Sequence, residues 1–161
     1  TQEFTELLTK NSRIINMSSV SGIRSTPFLS PYCASKHALE GYTESIRMEM
    51  KLKGIHVVRI RPGYIKTPIW DKAGELDISP YKDTIYEQSM EILQKLSVKM
   101  GLNGCEPIEV SKAVYKALNS KRPKRSYRVT KSYFREHFIP NYFPKRLLES
   151  IVIKVLKLNE N

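Results

Sequence analysis

The sequence predicts an α/β fold organised on a parallel, doubly wound sheet. Three observations predict it. An apolar run from Arg13 to Met17 ends in small hydroxyl residues, a helical repeat follows Ser30, and a β-branched run, Ile55 to Arg61, is closed by Pro62-Gly63. Strand, helix and strand within about fifty residues make a βαβ unit, and a right-handed crossover lays its two strands parallel in one sheet.

Each element has its own signal. The stretch Arg13-Ile14-Ile15-Asn16-Met17-Ser18-Ser19-Val20-Ser21-Gly22 reads as a buried strand reaching a loop. Pro31 suits a first helical turn, where a missing N–H costs nothing, and Ser30 before it is the expected N-cap. Ala34, Ala38, Leu39, Tyr42, Ile46 and Met50 then recur at helical spacing until Gly54, a C-terminal stop. Upstream, Phe4, Leu7 and Leu8 lie on one face of a helix end. Downstream, helices are expected over Tyr81 to Met100, over Glu106 to Leu118 with Val110, Val114 and Leu118 on one face, and over Lys145 to Leu158. Arg125 to Thr130 reads as a short edge strand.

Ligands of open parallel sheets bind beyond the carboxyl ends of the strands, and Ser19 and Pro62-Gly63 both fall at such ends. Tyr32 and Lys36 share one face of the first helical turn, with Ser19 thirteen residues upstream of the tyrosine. A phenol is a poor proton donor or acceptor near neutral pH until a cation stabilises its phenolate, and a lysine one turn away does that. The spacing therefore builds a general acid/base. Tyr127 and Lys131 repeat the spacing, but without a serine-ending strand before them or a helix after them, so that pair is read as coincidence.

With these residues in place the chain resembles the C-terminal half of a classical short-chain dehydrogenase/reductase. The resemblance rests on Asn16-Met17-Ser18-Ser19, Tyr32-Cys33-Ala34-Ser35-Lys36 and Arg61-Pro62-Gly63-Tyr64-Ile65-Lys66-Thr67-Pro68, in that order. It implies a partial Rossmann-type sheet over residues 1–130, followed by a basic, aromatic helical extension over 131–161. It implies an oxidoreductase moving a hydride between NAD or NADP and an alcohol or ketone. Ser19, Tyr32 and Lys36 are then catalytic: Tyr32 protonates the carbonyl oxygen or deprotonates the alcohol, Ser19 holds that oxygen, and Lys36 lowers the tyrosine pKa and binds the nicotinamide ribose. Pro62, Gly63, Ile65 and Thr67 pass the cofactor, the Ile65 backbone and Thr67 hydroxyl contacting its carboxamide or diphosphate. Ile69, Trp70, Tyr86 and Met90 are candidates for the substrate pocket, or equally for core packing. The family's glycine-rich turn, TGxxxGxG, and its Asn-Asn-Ala-Gly segment do not occur here, and the chain opens on Thr1. The expected parent is a protein of roughly 260 to 300 residues.

Composition narrows the alternatives. Neither a repeat nor an apolar run of membrane-spanning length is present, and Cys33, Cys105 and the three histidines have no metal-like spacing, so no metal is expected. Cys33 reads as a packing residue, and reduced thiols suit a cytoplasmic enzyme. Of the net charge of +11, eleven Lys or Arg against three Glu place +8 in residues 121–161. That quarter carries Tyr133, Phe134, Phe138, Tyr142 and Phe143, and its last helix shows Leu148, Ile151, Val152 and Val155 on one face beside Lys154 and Lys157. Packing on the domain is the favoured role for this helix. Peripheral contact with an anionic membrane is the competitor, and the tail resembles those of family members acting on lipophilic alcohols. The run Lys121 to Arg125 reads as a solvated loop, so no nucleic-acid partner is expected. The intact protein is expected to be a homo-oligomer. A noncatalytic remnant or interaction module is one alternative to an enzyme, and a nucleic-acid or membrane-surface binder acting through the basic tail is the other.

Overall fold

The computed structural model describes residues 2–132 and 143–159; Tyr133, Phe134, His137, Phe138 and Tyr142 of the tail lie outside them. The described chain forms two compact units, residues 1–63 with 108–129, and residues 64–107 with 130–161.

The first unit holds a three-stranded sheet in the order β1-β2-β3, with β1 at Arg13–Met17, β2 at His56–Pro62 and β3 at Ser126–Val129. All pairings are parallel: Ile15 lies opposite Val58, and Ile60 opposite Tyr127. The central strand is buried as a parallel strand should be, Val57, Val58 and Ile60 carrying its core. By contrast β1 is half-buried, because among the described residues it has a strand neighbour on one side only. Helix α1, Ser30–Glu49, supplies the crossover and passes through a 3-10 turn, Met50–Lys53, to Gly54, whose φ of 65° is the left-handed value a glycine stop provides. Helix α4 occupies Pro107–Asn119, and the basic run from Lys121 forms the exposed loop between it and β3.

Four expectations for this unit change. Ser30 is the first helical residue, and Leu29 takes the cap position without a side-chain hydrogen bond. Pro31 in the first turn has no N–H, so the helix start has one donor fewer to satisfy. The buried side of α1 is Cys33, Glu40, Thr43 and Ile46, while Ala34, Ala38 and Tyr42 are exposed. Polar groups on the sheet supply the reason: Asn16 Nδ2 donates to Thr43 Oγ1 at 2.8 Å, and Glu40 meets two arginines of β2. On α4 the inward residue is Ala117, one position before the exposed Leu118. The helix end expected around Phe4 to Leu8 is a 3-10 turn, Gln2–Phe4, with Phe4 and Leu7 exposed rather than packed.

The second unit is helical: α2 at Ile69–Gly74, α3 at Glu87–Leu102 and α5 at Lys145–Leu156. α3 starts six residues later than expected, after a 3-10 turn at Ser79–Tyr81 and a positive φ of 58° at Asp83, a conformation no helix contains. Ile85 is consequently exposed in a turn. Gln94 Nε2 donates to the carbonyls of Ala73, Gly74 and Leu76, fastening α3 to the end of α2. α5 stops at Leu156 with Lys157 left-handed, and its buried face is Leu148, Val152 and Leu156, packed with α3, where Ser89 Oγ donates to the Lys157 carbonyl at 3.4 Å. Ile151 and Val155, expected on that face, are exposed together with Leu147.

Candidate active site

Strand β1 delivers two serines to the carboxyl edge of the sheet. Ser18 continues the ladder, its N–H donating to the Ile60 carbonyl at 2.8 Å, and Ser19 follows in extended conformation (φ −159°, ψ 164°). Ser19 caps the 3-10 turn Val20–Gly22: its Oγ accepts the Ser21 N–H at 3.1 Å, which leaves its own hydroxyl proton to donate elsewhere. Only 8% of Ser19 is exposed.

Tyr32 and Lys36 stand in the first two turns of α1. Tyr32 is 45% exposed. The Lys36 ammonium lies 5.8 Å from the Tyr32 ring centroid and donates to the Met17 carbonyl at 3.2 Å, so the lysine ties the helix to the strand end that carries the serines. Cys33, between them, is buried, and its Sγ accepts the Thr26 N–H at 3.5 Å.

Beneath these residues lies a group that the sequence reading missed. Glu40, 7% exposed, accepts hydrogen bonds from Ser18 Oγ (2.6 Å), Arg61 Nε (2.8 Å), Arg61 Nη2 (2.6 Å) and Arg59 Nη1 (2.8 Å). Burial pushes its carboxyl up, but the bonds from Arg61 and Ser18 and the charges of Arg61 and Arg59 outweigh it and hold the group below the usual carboxylate value. Burial together with the neighbouring Arg61 charge pulls Arg59 down. The signal was present in the sequence: two arginines at alternate positions of a β-branched strand point to one face and demand an acid there. At the end of β2, Pro62 pairs with Val129, and the Gly63 N–H donates to the Val129 carbonyl at 2.9 Å.

The second unit carries the other expected residues. Ile65 bridges to Cys105, with Cys105 N–H donating to the Tyr64 carbonyl at 2.8 Å and Lys66 N–H to that of Cys105 at 2.9 Å. The ion pair Lys66–Glu106, at 2.5 Å, fastens the same segment. Trp70 donates its indole N–H to the Ile65 carbonyl at 2.6 Å, meets the Tyr64 ring at 5.4 Å between centroids, and lies flat against Gly101, where an added Cβ would fall inside the indole. Thr67, Ile69 and Tyr86 are exposed, and Met90 is buried. Trp70 therefore orders the Ile65 to Thr67 loop inside this unit. The repeated motif differs in kind: Tyr127 is a buried residue of β3 whose phenol oxygen accepts the Lys124 N–H at 3.1 Å. Among the described residues no three His, Cys, Asp or Glu gather as a metal site would require.

Comparison with known proteins identifies the arrangement. Residues 1–77 match the model of the short chain dehydrogenase family. An NADPH-dependent 3-dehydrocapnine reductase of Ornithobacterium rhinotracheale is 35% identical over 90% of this chain and 51% of its own length. A 3-ketodihydrosphingosine reductase of Bacteroides thetaiotaomicron is 30% identical over 71% of this chain and 42% of its own. The crystal structure of a short chain dehydrogenase/reductase from Burkholderia phymatum in complex with NAD superposes with a TM-score of 0.60 at 17% identity, over 99% of this chain and 54% of that one, and shares the fold. The chain thus spans about half the length of the curated relatives it matches. With its parallel βαβ core, strand-end serine and Tyr32–Lys36 helix, the chain is similar in sequence and fold to about half of a short-chain dehydrogenase/reductase.

Proposed function

We propose that the intact protein containing this chain is an NAD- or NADP-dependent oxidoreductase that interconverts an alcohol and a ketone. The observation that carries the reading is the joining of Lys36 to the serine-bearing strand end, beside the Tyr32 ring. Tyr32 delivers its phenolic proton to the carbonyl oxygen, or receives one from the alcohol, while the Ser19 hydroxyl donates a hydrogen bond to the same oxygen. The Lys36 ammonium favours the phenolate left behind.

A nicotinamide dinucleotide, when bound, supplies or accepts the hydride. The donor set fits one in part: the Met17 carbonyl takes one of three ammonium protons of Lys36, and the others suit ribose hydroxyls. Tyr32, Lys36, Pro62 and Gly63 of the first unit are proposed to hold it. Ile69 and Tyr86, exposed, suit substrate contact better than Met90 and Trp70, whose surroundings already occupy them.

The relatives named as reductases of 3-dehydrocapnine and of 3-ketodihydrosphingosine favour a carbonyl in a lipophilic substrate. A peripheral membrane contact fits the same reading, supported by Leu147, Ile151 and Val155, exposed at four-residue spacing on α5 beside Lys154. Among the described residues no helix is long and apolar enough to cross a membrane. Exposed Ile108, Tyr115 and Leu118 on α4 support homo-oligomerisation of the intact protein. The test is oxidation of NADH or NADPH by the intact protein with a panel of ketones of increasing chain length. Turnover rising with apolar length is the expected result. No oxidation of either cofactor with any ketone, and no reduction with the matching alcohols, would reject the reading.

A further inference from the structure

Glu40 and Ser18 take no part in the proton transfer proposed above, yet they sit where three segments of that site meet. Glu40 is four residues beyond Lys36 and eight beyond Tyr32, so the three form one row along α1. Its carboxylate is gripped by two nitrogens of Arg61, the residue before Pro62, and receives the Ser18 hydroxyl on the same oxygen as Arg61 Nε. Both Glu40 and Arg61 are buried, and among the described residues nothing else ionised lies within an ion-pair distance of Glu40 except Arg59.

The ties bracket Ser19 on both sides. Before it, Met17 is held by the Lys36 ammonium and Ser18 by Glu40. After it, Gly22 is pressed against α1: a Cβ there would meet Glu40 Cγ at 2.8 Å, the Lys36 carbonyl at 3.0 Å and Ser18 Oγ at 3.0 Å. In extended backbone, successive side chains point to opposite sides, so fixing the direction of the Ser18 side chain fixes that of Ser19. We infer that Ser18 is a positioning residue, which aims the Ser19 hydroxyl at the substrate oxygen by hydrogen-bonding to the Glu40 carboxylate that Arg61 holds in place.

The inference rests on the catalytic role proposed for Ser19, and a double-mutant cycle in the intact protein separates the two. Ser18→Ala should lower kcat roughly ten- to a hundredfold, the scale of a misaimed group, with cofactor affinity unchanged within about twofold. In a Ser19→Ala background, Ser18→Ala should have no further effect beyond about twofold, because a residue that acts through Ser19 has nothing left to aim. A role in stability alone would lower turnover equally in both backgrounds. Hydrogen exchange reads the same tie without turnover: the Ser21 and Gly22 amides should exchange faster in Ser18→Ala than in the parent. Wild-type kcat in Ser18→Ala, an undiminished effect in the Ser19→Ala background, or unchanged exchange would overturn the inference. Full activity of Ser19→Ala alone would instead overturn the catalytic reading on which it stands, and the inference with it.

Discussion

Replacing Glu40 by glutamine removes one charge from a cluster whose geometry sets the size of the effect. The glutamate accepts four hydrogen bonds from Ser18, Arg59 and Arg61, at 2.6 to 2.8 Å, and its side chain is as buried as that of Arg61. Glutamine offers one acceptor oxygen and turns an NH2 group toward guanidinium donors, leaving Arg61 without its counter-charge and Arg59 with only the exposed Glu44 among the described residues. Breaking a buried pair in this way costs about 3–5 kcal/mol. At about 2–4 °C per kcal/mol for a chain of this size, the melting temperature should fall by about 6–20 °C. Glu44, 60% exposed and 3.9 Å from Arg59, is the control: Glu44→Gln should change stability by less than about 1 kcal/mol. The pH dependence carries a sign. Because the Glu40 carboxyl is held below its ordinary value of 4.5, the stability it contributes is fully present above that pH and is lost as pH falls through the depressed value. The gap between wild type and Glu40→Gln, measured by urea denaturation, should therefore be constant near neutrality and shrink in acid. A loss under about 1 kcal/mol at pH 7, or a gap that widens as pH falls, would refute the reasoning.

Gly101→Ala should destabilise the second unit by about 1–3 kcal/mol, against the gain of up to about 1 kcal/mol that alanine normally brings to a helix, because the new methyl group meets the Trp70 indole. Trp70 is the chain's single tryptophan, so its fluorescence reports the change directly, and an unchanged spectrum with a raised melting point would contradict this packing. The 161-residue chain alone should bind NADH or NADPH no better than about millimolar, since it lacks a glycine-rich turn to receive the diphosphate; micromolar binding by calorimetry would count against that. If the exposed stripe of α5 meets a membrane, the intact protein should sediment with anionic but not neutral vesicles, less so as salt rises, and Ile151→Glu should abolish it. Equal recovery in the supernatant throughout would leave α5 as a packing helix alone.

The βαβ core was legible because its signals are local and agree: the serine-ended strand, the proline in the first helical turn, the glycine stop and the β-branched second strand each point to the same order. The parallel pairing of β1 with β2 follows from that order. The repeated Tyr127–Lys131 spacing was also separable from its flanks, and Tyr127 indeed lies in a strand. What escaped the sequence is decided by partners distant in the chain. Counting apolar residues placed Ala34, Ala38 and Tyr42 inward on α1, whereas Glu40 and Thr43 are buried by Arg61 and Asn16 of the sheet. On α5, Leu148, Val152 and Leu156 form one four-residue series and Leu147, Ile151 and Val155 another; periodicity does not choose between them, and packing with α3 does. Trp70 shows the same limit, for the carbonyl and glycine that hold it are set by the fold of its unit.

The central claim is that Tyr32 carries the proton, and the intact protein bearing Tyr32→Phe tests it most directly, because only the hydroxyl is removed from a ring that is half exposed. Steady-state turnover should fall by at least about a hundredfold, the low end for general acid/base catalysis, while cofactor affinity hardly changes. Lys36→Met should slow turnover and weaken cofactor binding together. Tyr127→Phe, which removes a phenol that accepts the Lys124 backbone N–H, should leave turnover unchanged. Turnover within a few fold of wild type in Tyr32→Phe, or an equal collapse in Tyr127→Phe, would contradict the account.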